Sequence, residues 1–215
     1  MRVPQAQFED REPIPESLYL GGIYSIIEIG TQSSPDPRYK DNRQVIFTWE
    51  LPSIMETWNE GEPERPASIS AFYNFVIAQT KAGVKSKLLK LIESLAYRSL
   101  THEEQVNFDT DRLLGVWGQL QVIHHINTAG IKKAKVDNVM PIMKGTPVPN
   151  LINPQITWSI DNLSHPRDVE ALAVPDWIKK LIRSSHEFQA MSGIRSGHTD
   201  RQSPEDADTD DAPWD

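Results

Sequence analysis

Apolar and polar residues alternate with period two through most of residues 17–80, switch to a helical period, and then alternate again. Ser17–Gln32 (SLYLGGIYSIIEIGTQ) is rich in β-branched and aromatic residues and predicts a long strand, bent or bulged at Gly21–Gly22. After the loop SSPDPRYKDN, Asn42–Leu51 predicts a second strand and closes a hairpin. Arg43, Val45, Phe47 and Trp49 share one face of it, and Ile46 and Thr48 the other. The acidic, Pro-rich stretch Pro52–Ala67 reads as an exposed connection to strand three, Ser68–Thr80. There Ile69, Ala71, Tyr73, Phe75 and Ile77 alternate with Ser70, Phe72, Asn74 and Val76.

VKSKLLKLIESLAY then puts Leu88, Leu91, Ile92 and Leu95 on one stripe, with its lysines mostly off it, predicting an amphipathic helix. Thr101 with Glu104 three residues on forms a capping box for a short second helical turn. Val116–Ile126 is the fourth strand, with Leu120, Val122 and Ile126 inward and Gln119, Gln121 and Ile123 outward. IKKAKVDNVMPI is the fifth, with Lys133 and Lys135 facing away from Ala134, Val136 and Met140. A short apolar run, QITWSI, precedes a helix beginning at PDWIKKLIRSSHEF, with Pro175 at its start and Asp176 in its first turn.

Three strands, a helix and two strands predict a mainly β domain. The pattern matches the five-stranded Greek-key barrel of the OB-fold, which carries a helix between strands three and four. The predicted organisation is a flexible arm over 1–16, the OB-like domain with its C-terminal extension over 17–190, and a disordered acidic tail over 191–215.

Charge sharpens this picture. The 215 residues carry a net −8, but Ser203–Asp215 alone holds six carboxylates and no base, and the rest has 22 basic against 24 acidic residues. Lys81–Gly145 is positive, with ten Lys/Arg against six Asp/Glu. A protein polarised in this way can meet a polyanion with one face. The absence of cysteine excludes disulfides and thiolate metal sites and fits a reducing cytoplasm. No stretch has the length and apolarity of a membrane helix, and no secretory signal is read at the N-terminus.

Phosphate-loop, dinucleotide, nucleophile-elbow and HExxH motifs are all missing, and adjacent His124 and His125 on a strand point to opposite faces. The sequence therefore predicts neither an enzyme nor a cofactor or metal. Single-strand binders combine a basic groove with aromatic platforms for bases. The candidate platforms are Trp49, Tyr73, Phe75, Tyr97 and Trp117. The candidate phosphate contacts are Arg43, Lys85, Lys87, Arg98, Lys132, Lys133 and Lys135, of which the IKKAK strand is the sharpest cluster.

In order, IYSIIEIGTQ, RQVIFTWEL, KSKLLKLIESLAYRSLTHEEQVNFDTDRLLG, VIHH, VDNVMPI and VPDWIKKLIRSS resemble a family of phage proteins found beside recombination and replication genes. The resemblance covers about Gly22 to Arg183. It implies an OB-fold that binds single-stranded DNA, in a phage-infected host cell's cytoplasm. Family members often carry Lys or Pro after the LLG, where this chain has Val116–Trp117. They also place a Tyr in the strand after VIHH that is absent here, for which Trp117 is the candidate substitute. The tail is similar to the acidic C-termini of single-stranded-DNA-binding proteins. That similarity implies that Asp208, Asp210, Asp211, Trp214 and Asp215 recruit replication or recombination proteins, or compete with DNA. The expected function is sequence-nonspecific DNA coating in replication or recombination. The competing expectation is an OB-fold adaptor for a recombinase, nuclease or host replication factor; a virion component is a third. Val174–Arg183 reads as either a packed C-terminal helix or a contact for a homo-oligomer.

Overall fold

The first hairpin is apolar on both faces, and both faces are buried. β1 (Ser17–Gln32) pairs antiparallel with β2 (Asn42–Glu56). Ile23, Ile26, Val45, Phe47, Trp49 and Leu51 enter the main core, while Ile27, Ile29 and Ile46 enter a second cluster on the opposite face. Ile23 and Ile26 face the same side although their spacing is odd, because a bulge between Ile23 and Ser25 resets the alternation. A second irregularity lies between Glu28 and Gly30.

The computed structural model describes residues 12–57, 61, 63–127 and 130–193. Its sheet runs β3 (Arg65–Asn74), β2, β1, β4 (Trp117–Ile126), β5 (Lys132–Met140), all antiparallel neighbours. A short sixth strand, β6 (Ile156–Trp158), adds to β1 in parallel at Ser25–Ile27. The protein is thus mainly β with a few helices. Cα atoms of β3 and β5 come within 8 Å of one another, but no ladder joins the two strands, so the sheet is open.

Several expected boundaries move. β2 does not stop at Leu51 but continues to Glu56 across a bulge between Leu51 and Met55, taking up the first five residues of the supposed exposed connection. β3 begins earlier than expected and ends at Asn74 rather than Thr80, and Gln79 and Lys85 form an isolated bridge beyond it. Gly21 and Gly22 are not bulged. They pair regularly with Gly118 and Trp117 of β4, and they are glycine because of close approach. A Cβ on Gly21 would lie 2.5 Å from Leu120 Cδ1, and one on Gly22 would lie 2.8 Å from the Trp117 ring.

In β4, Leu120 and Val122 are inward as expected, but Ile126 is 73% exposed, because it already belongs to the hairpin tip. In β5 the pairing jumps from Asn138 to Val136 opposite Gln121 and Val122, leaving Asp137 as an extra residue. That bulge sends Val139 rather than Met140 into the core.

Two further layers complete the molecule. Helix α1 (Lys87–Ala96) begins at Ser86, whose hydroxyl accepts from Leu89 N, and ends at Tyr97 in the left-handed conformation (φ 58°). It buries Leu88, Leu89, Leu91, Ile92 and Leu95 in the main core. Helix α2 (His102–Val106) carries the predicted Thr101–Glu104 capping box. The C-terminal layer consists of α3 (Pro166–Glu170), α4 (Asp176–Ser184) and α5 (His186–Met191). The expected single helix breaks at Ser185, which is extended and caps α5 through its hydroxyl on Phe188 N. Ile178, Leu181, Ile182 and Phe188 from this layer cover Ile27, Ile29 and Ile46. Each side chain so buried contributes about 1.5–3 kcal/mol of apolar transfer free energy.

Two buried carboxylates fasten the chain leading to this layer. Glu50 is wholly buried and accepts from Ile152 N (3.0 Å), Asn153 N (2.9 Å) and Asn153 Nδ2 (2.9 Å). Glu28 accepts from the Ser159 hydroxyl (2.7 Å), from Ile160 N (3.3 Å) and from Arg43 Nε.

Candidate nucleic-acid interface

Where β3 and β5 face each other without pairing, a groove of ≈ 580 Å³ opens. Its walls are Ser70–Tyr73 of β3 and Ala134–Met140 of β5, and Lys87, Lys90, Leu91 and Ser94 of α1 lie between them. Positions 87, 90, 91 and 94 fall on one side of a helix, which is why a single helix can supply two lysines and an apolar floor to the same groove. Ser94 fixes the helix there: its hydroxyl donates to Val139 O on the edge of β5 at 2.7 Å. Tyr97 repeats the clasp one turn later, donating to Ile142 O at 2.7 Å. An edge strand that would otherwise present bare carbonyls is thereby partly covered.

The groove is positive. Lys87, Lys90 and Lys135 line it, with one acid, Asp137. His125 also lines it, paired across the ribbon with Lys133. Strand alternation puts Lys133 and Lys135 on the face opposite the inward Ala134 and Val136. Lys132 is exposed beside the hairpin tip. His124 points the other way, as adjacent strand residues must. Its Nε2 lies 2.8 Å from Ile14 O, and its backbone N–H donates to Glu16 Oε1 at 2.7 Å. The end of the supposed mobile arm is therefore tied to β4. Among the described residues no group of three or more His, Asp or Glu is placed to hold a metal ion, and no helix is long and apolar enough to cross a membrane.

Burial corrects the aromatic candidates. Trp49 is 0% exposed, stacked on Phe47 with ring centroids 6.0 Å apart. Tyr73 meets Phe47 edge-on at 5.5 Å in the same core, and burial pushes its hydroxyl far up from the ordinary tyrosine value. Trp117 is 8% exposed and lies over Gly22. None of these three presents a face to a base, because Trp49 and Tyr73 belong to the main core and Trp117 is covered against Gly22. Phe75 packs against the core and under Arg43, whose Cζ is 5.5 Å from its ring centroid. Tyr97 is exposed, but stands beyond the groove lining.

Three predicted phosphate contacts are spent on carboxylates. Arg43 bridges the buried Glu28 and Asp161, the latter at 2.8 Å. Lys85 pairs with Glu93 at 2.5 Å. Arg98 grips Glu104 with two bonds of 2.6 and 2.9 Å, and that hydrogen bonding, with the Thr101 N–H, holds the Glu104 carboxyl down at about 2. The structure therefore brings Lys87 and Lys135 into one groove, adds Lys90, leaves Lys132 and Lys133 at its hairpin side, and separates Arg43, Lys85 and Arg98 from it. Asp208, Asp210, Asp211, Trp214 and Asp215 lie outside the described residues.

Two groove residues escaped sequence reasoning although a signal existed for each. Phe72 was the one aromatic on the polar side of the β3 alternation, between Ser70 and Asn74. Lys90 shared a helical stripe with Lys87 and passed for a solvated face. No protein-family model matches the chain, and no curated protein matches it significantly.

Proposed function

We propose that this protein binds single-stranded DNA without sequence preference, along the groove between β3 and β5. The observation that carries the proposal is the convergence of Lys87 and Lys90 from α1 with Lys135 from β5 on one groove. A flexible single strand can follow such a track with its phosphates, and the electrostatic attraction requires no base recognition. The strand order supports an OB-type barrel: β1 stands between β2 and β4, the outer strands β3 and β5 face each other, and α1 lies between β3 and β4 in sequence. A protein coating strands in phage replication or recombination fits this arrangement. The acidic segment Ser203–Asp215, with six carboxylates, would compete with DNA for the groove or recruit replication and recombination proteins.

The test is a titration of the full chain against fluorescently labelled oligo-dT at several salt concentrations. With three groove lysines on phosphates, log K should fall against log salt with a slope of about −2, from ~0.7 per neutralised phosphate on a single strand. Lys90→Ala should weaken binding and flatten that slope by about 0.7. A chain ending at Gln202 should bind more tightly. No binding at low salt would refute the proposal and favour the adaptor reading.

A further inference from the structure

Every tryptophan described in the sheet is at least largely covered, yet Trp177, in the first turn of α4, is 40% exposed. The helix has no need of an exposed tryptophan there. Its apolar stripe is complete with Ile178, Leu181 and Ile182, and Trp177 lies off that stripe. Its ring leans on Phe72, with centroids 6.1 Å apart and planes at 47°. Phe72 in turn lines the groove that Lys87, Lys90 and Lys135 make positive. Exposed Lys180 follows one turn later on the same flank of α4. The C-terminal layer thus adds an aromatic surface and a cation beside the groove, while Trp49, Tyr73 and Trp117 of the strands are buried.

We propose that Trp177, propped on Phe72, is the platform on which a base of the bound strand stacks as its phosphates follow the groove lysines. The proposal rests on the nucleic-acid reading above and adds to it the site of base contact. A tilted aromatic pair with a partly exposed indole suits stacking on any base, because every base has a π face. Lys180 on α4 and the groove lysines of α1 and β5 outnumber the one exposed acid beside Trp177 on its own helix, Asp176, which matches a polyanion rather than an apolar peptide.

Trp177→Ala, Trp177→Phe and the unaltered full chain are to be compared on two strands of equal length, oligo-dT and an abasic deoxyribose-phosphate oligomer. Trp177→Ala should lose on the order of 10-fold in affinity for oligo-dT and little for the abasic strand, and Trp177→Phe should recover most of the loss. Thermal melting of each variant reports folding separately. If Trp177→Ala weakens both strands equally, or neither, the platform is refuted while DNA binding stands; a Trp177→Phe variant as weak as Trp177→Ala refutes it as well. If the unaltered chain binds neither strand, the DNA reading falls and the platform with it.

Discussion

Replacing Glu50 by alanine should be among the most destabilising single changes in this protein. The carboxylate lies on β2 beneath the segment that leads to the C-terminal layer, wholly buried, and takes three donors from two consecutive residues. Glu50→Ala strands the Asn153 N–H and Nδ2 in a buried site, where each unsatisfied donor costs about 1–3 kcal/mol. Ile152 N is only part-buried, so water can replace its bond at smaller cost. The sum is about 2–6 kcal/mol, a large share of the roughly 5–15 kcal/mol that holds a typical domain folded. Glu50→Gln keeps one acceptor oxygen for Asn153 but turns an amide N–H toward a donor, so its cost should be nearer 1–2 kcal/mol.

Urea denaturation followed by circular dichroism gives both differences from the shift in midpoint. Limited proteolysis should place the first new cleavage in Glu50→Ala between residues 141 and 155. Tyr24 offers an independent readout: burial raises its hydroxyl pKa, the Ser68 hydrogen bond opposes that, and the Glu50 charge adds to the rise. Its titration should therefore move down in Glu50→Gln. A Glu50→Ala protein within 1 kcal/mol of the parent, or a Glu50→Gln protein as unstable as Glu50→Ala, would refute the anchoring argument, where these bounds are about the resolution of the method.

Two further changes test the packing and the acid response. Gly22→Ala puts a methyl 2.7 Å from Leu151 Cδ2 and 2.8 Å from the rigid Trp117 indole, which should cost about 1–3 kcal/mol in a urea melt; an unchanged midpoint would show that β4 can retreat. Burial would raise the Glu187 carboxyl, but the Thr31 hydroxyl and N–H, at 2.7 and 2.8 Å, outweigh it and hold the pKa below the ordinary value. A depressed folded pKa stabilises above the unfolded value of about 4.3 and is lost as pH falls through the folded one. Glu187→Gln should accordingly be less stable than the parent near pH 7, with the gap closing in acid; a gap that widens in acid would reverse the assignment.

Local periodicity made the elements legible and left the layers illegible. The face assignments of β2, the α1 stripe and the Thr101 capping box follow from rules acting within a few residues, and the structure has them. Nothing in Asn42–Leu51 says that its second face is also covered, because Ile46 and Thr48 suit either a core or a surface. The covering comes from α4 and α5, more than a hundred residues away in sequence. The stacking candidates fail on the other side of the sheet, where Trp49 and Tyr73 are part of the main core, and at Gly22, which the Trp117 ring covers. Trp49 and Trp117 were chosen for residue type, and type does not tell a platform from a core side chain. Bulges at Tyr24 and Asp137 defeat a strict count of two, since one extra residue reverses every later side chain. The groove lysines were legible as charge, but their convergence depends on how α1 docks, through its five buried apolar residues and the Ser94 hydrogen bond to Val139 O.

The same docking explains how a chain of net −8 can offer a positive track. Many of its acids are internal fasteners: Glu28 and Glu50 hold the C-terminal segment, Glu93 holds Lys85 and Leu100 N, Glu104 holds Arg98, and Glu187 holds Thr31. The ion pairs of Glu28, Glu93 and Glu104 cancel at distances beyond a Debye length of about 8–10 Å, so they add little to the field in the groove, and six further acids lie in Ser203–Asp215. Lys87, Lys90 and Lys135 line the open seam of the sheet together with Asp137. Net charge therefore misleads about partners when the acids are structural. The informative quantity is the charge that lines one groove, and here its sign is opposite to that of the chain.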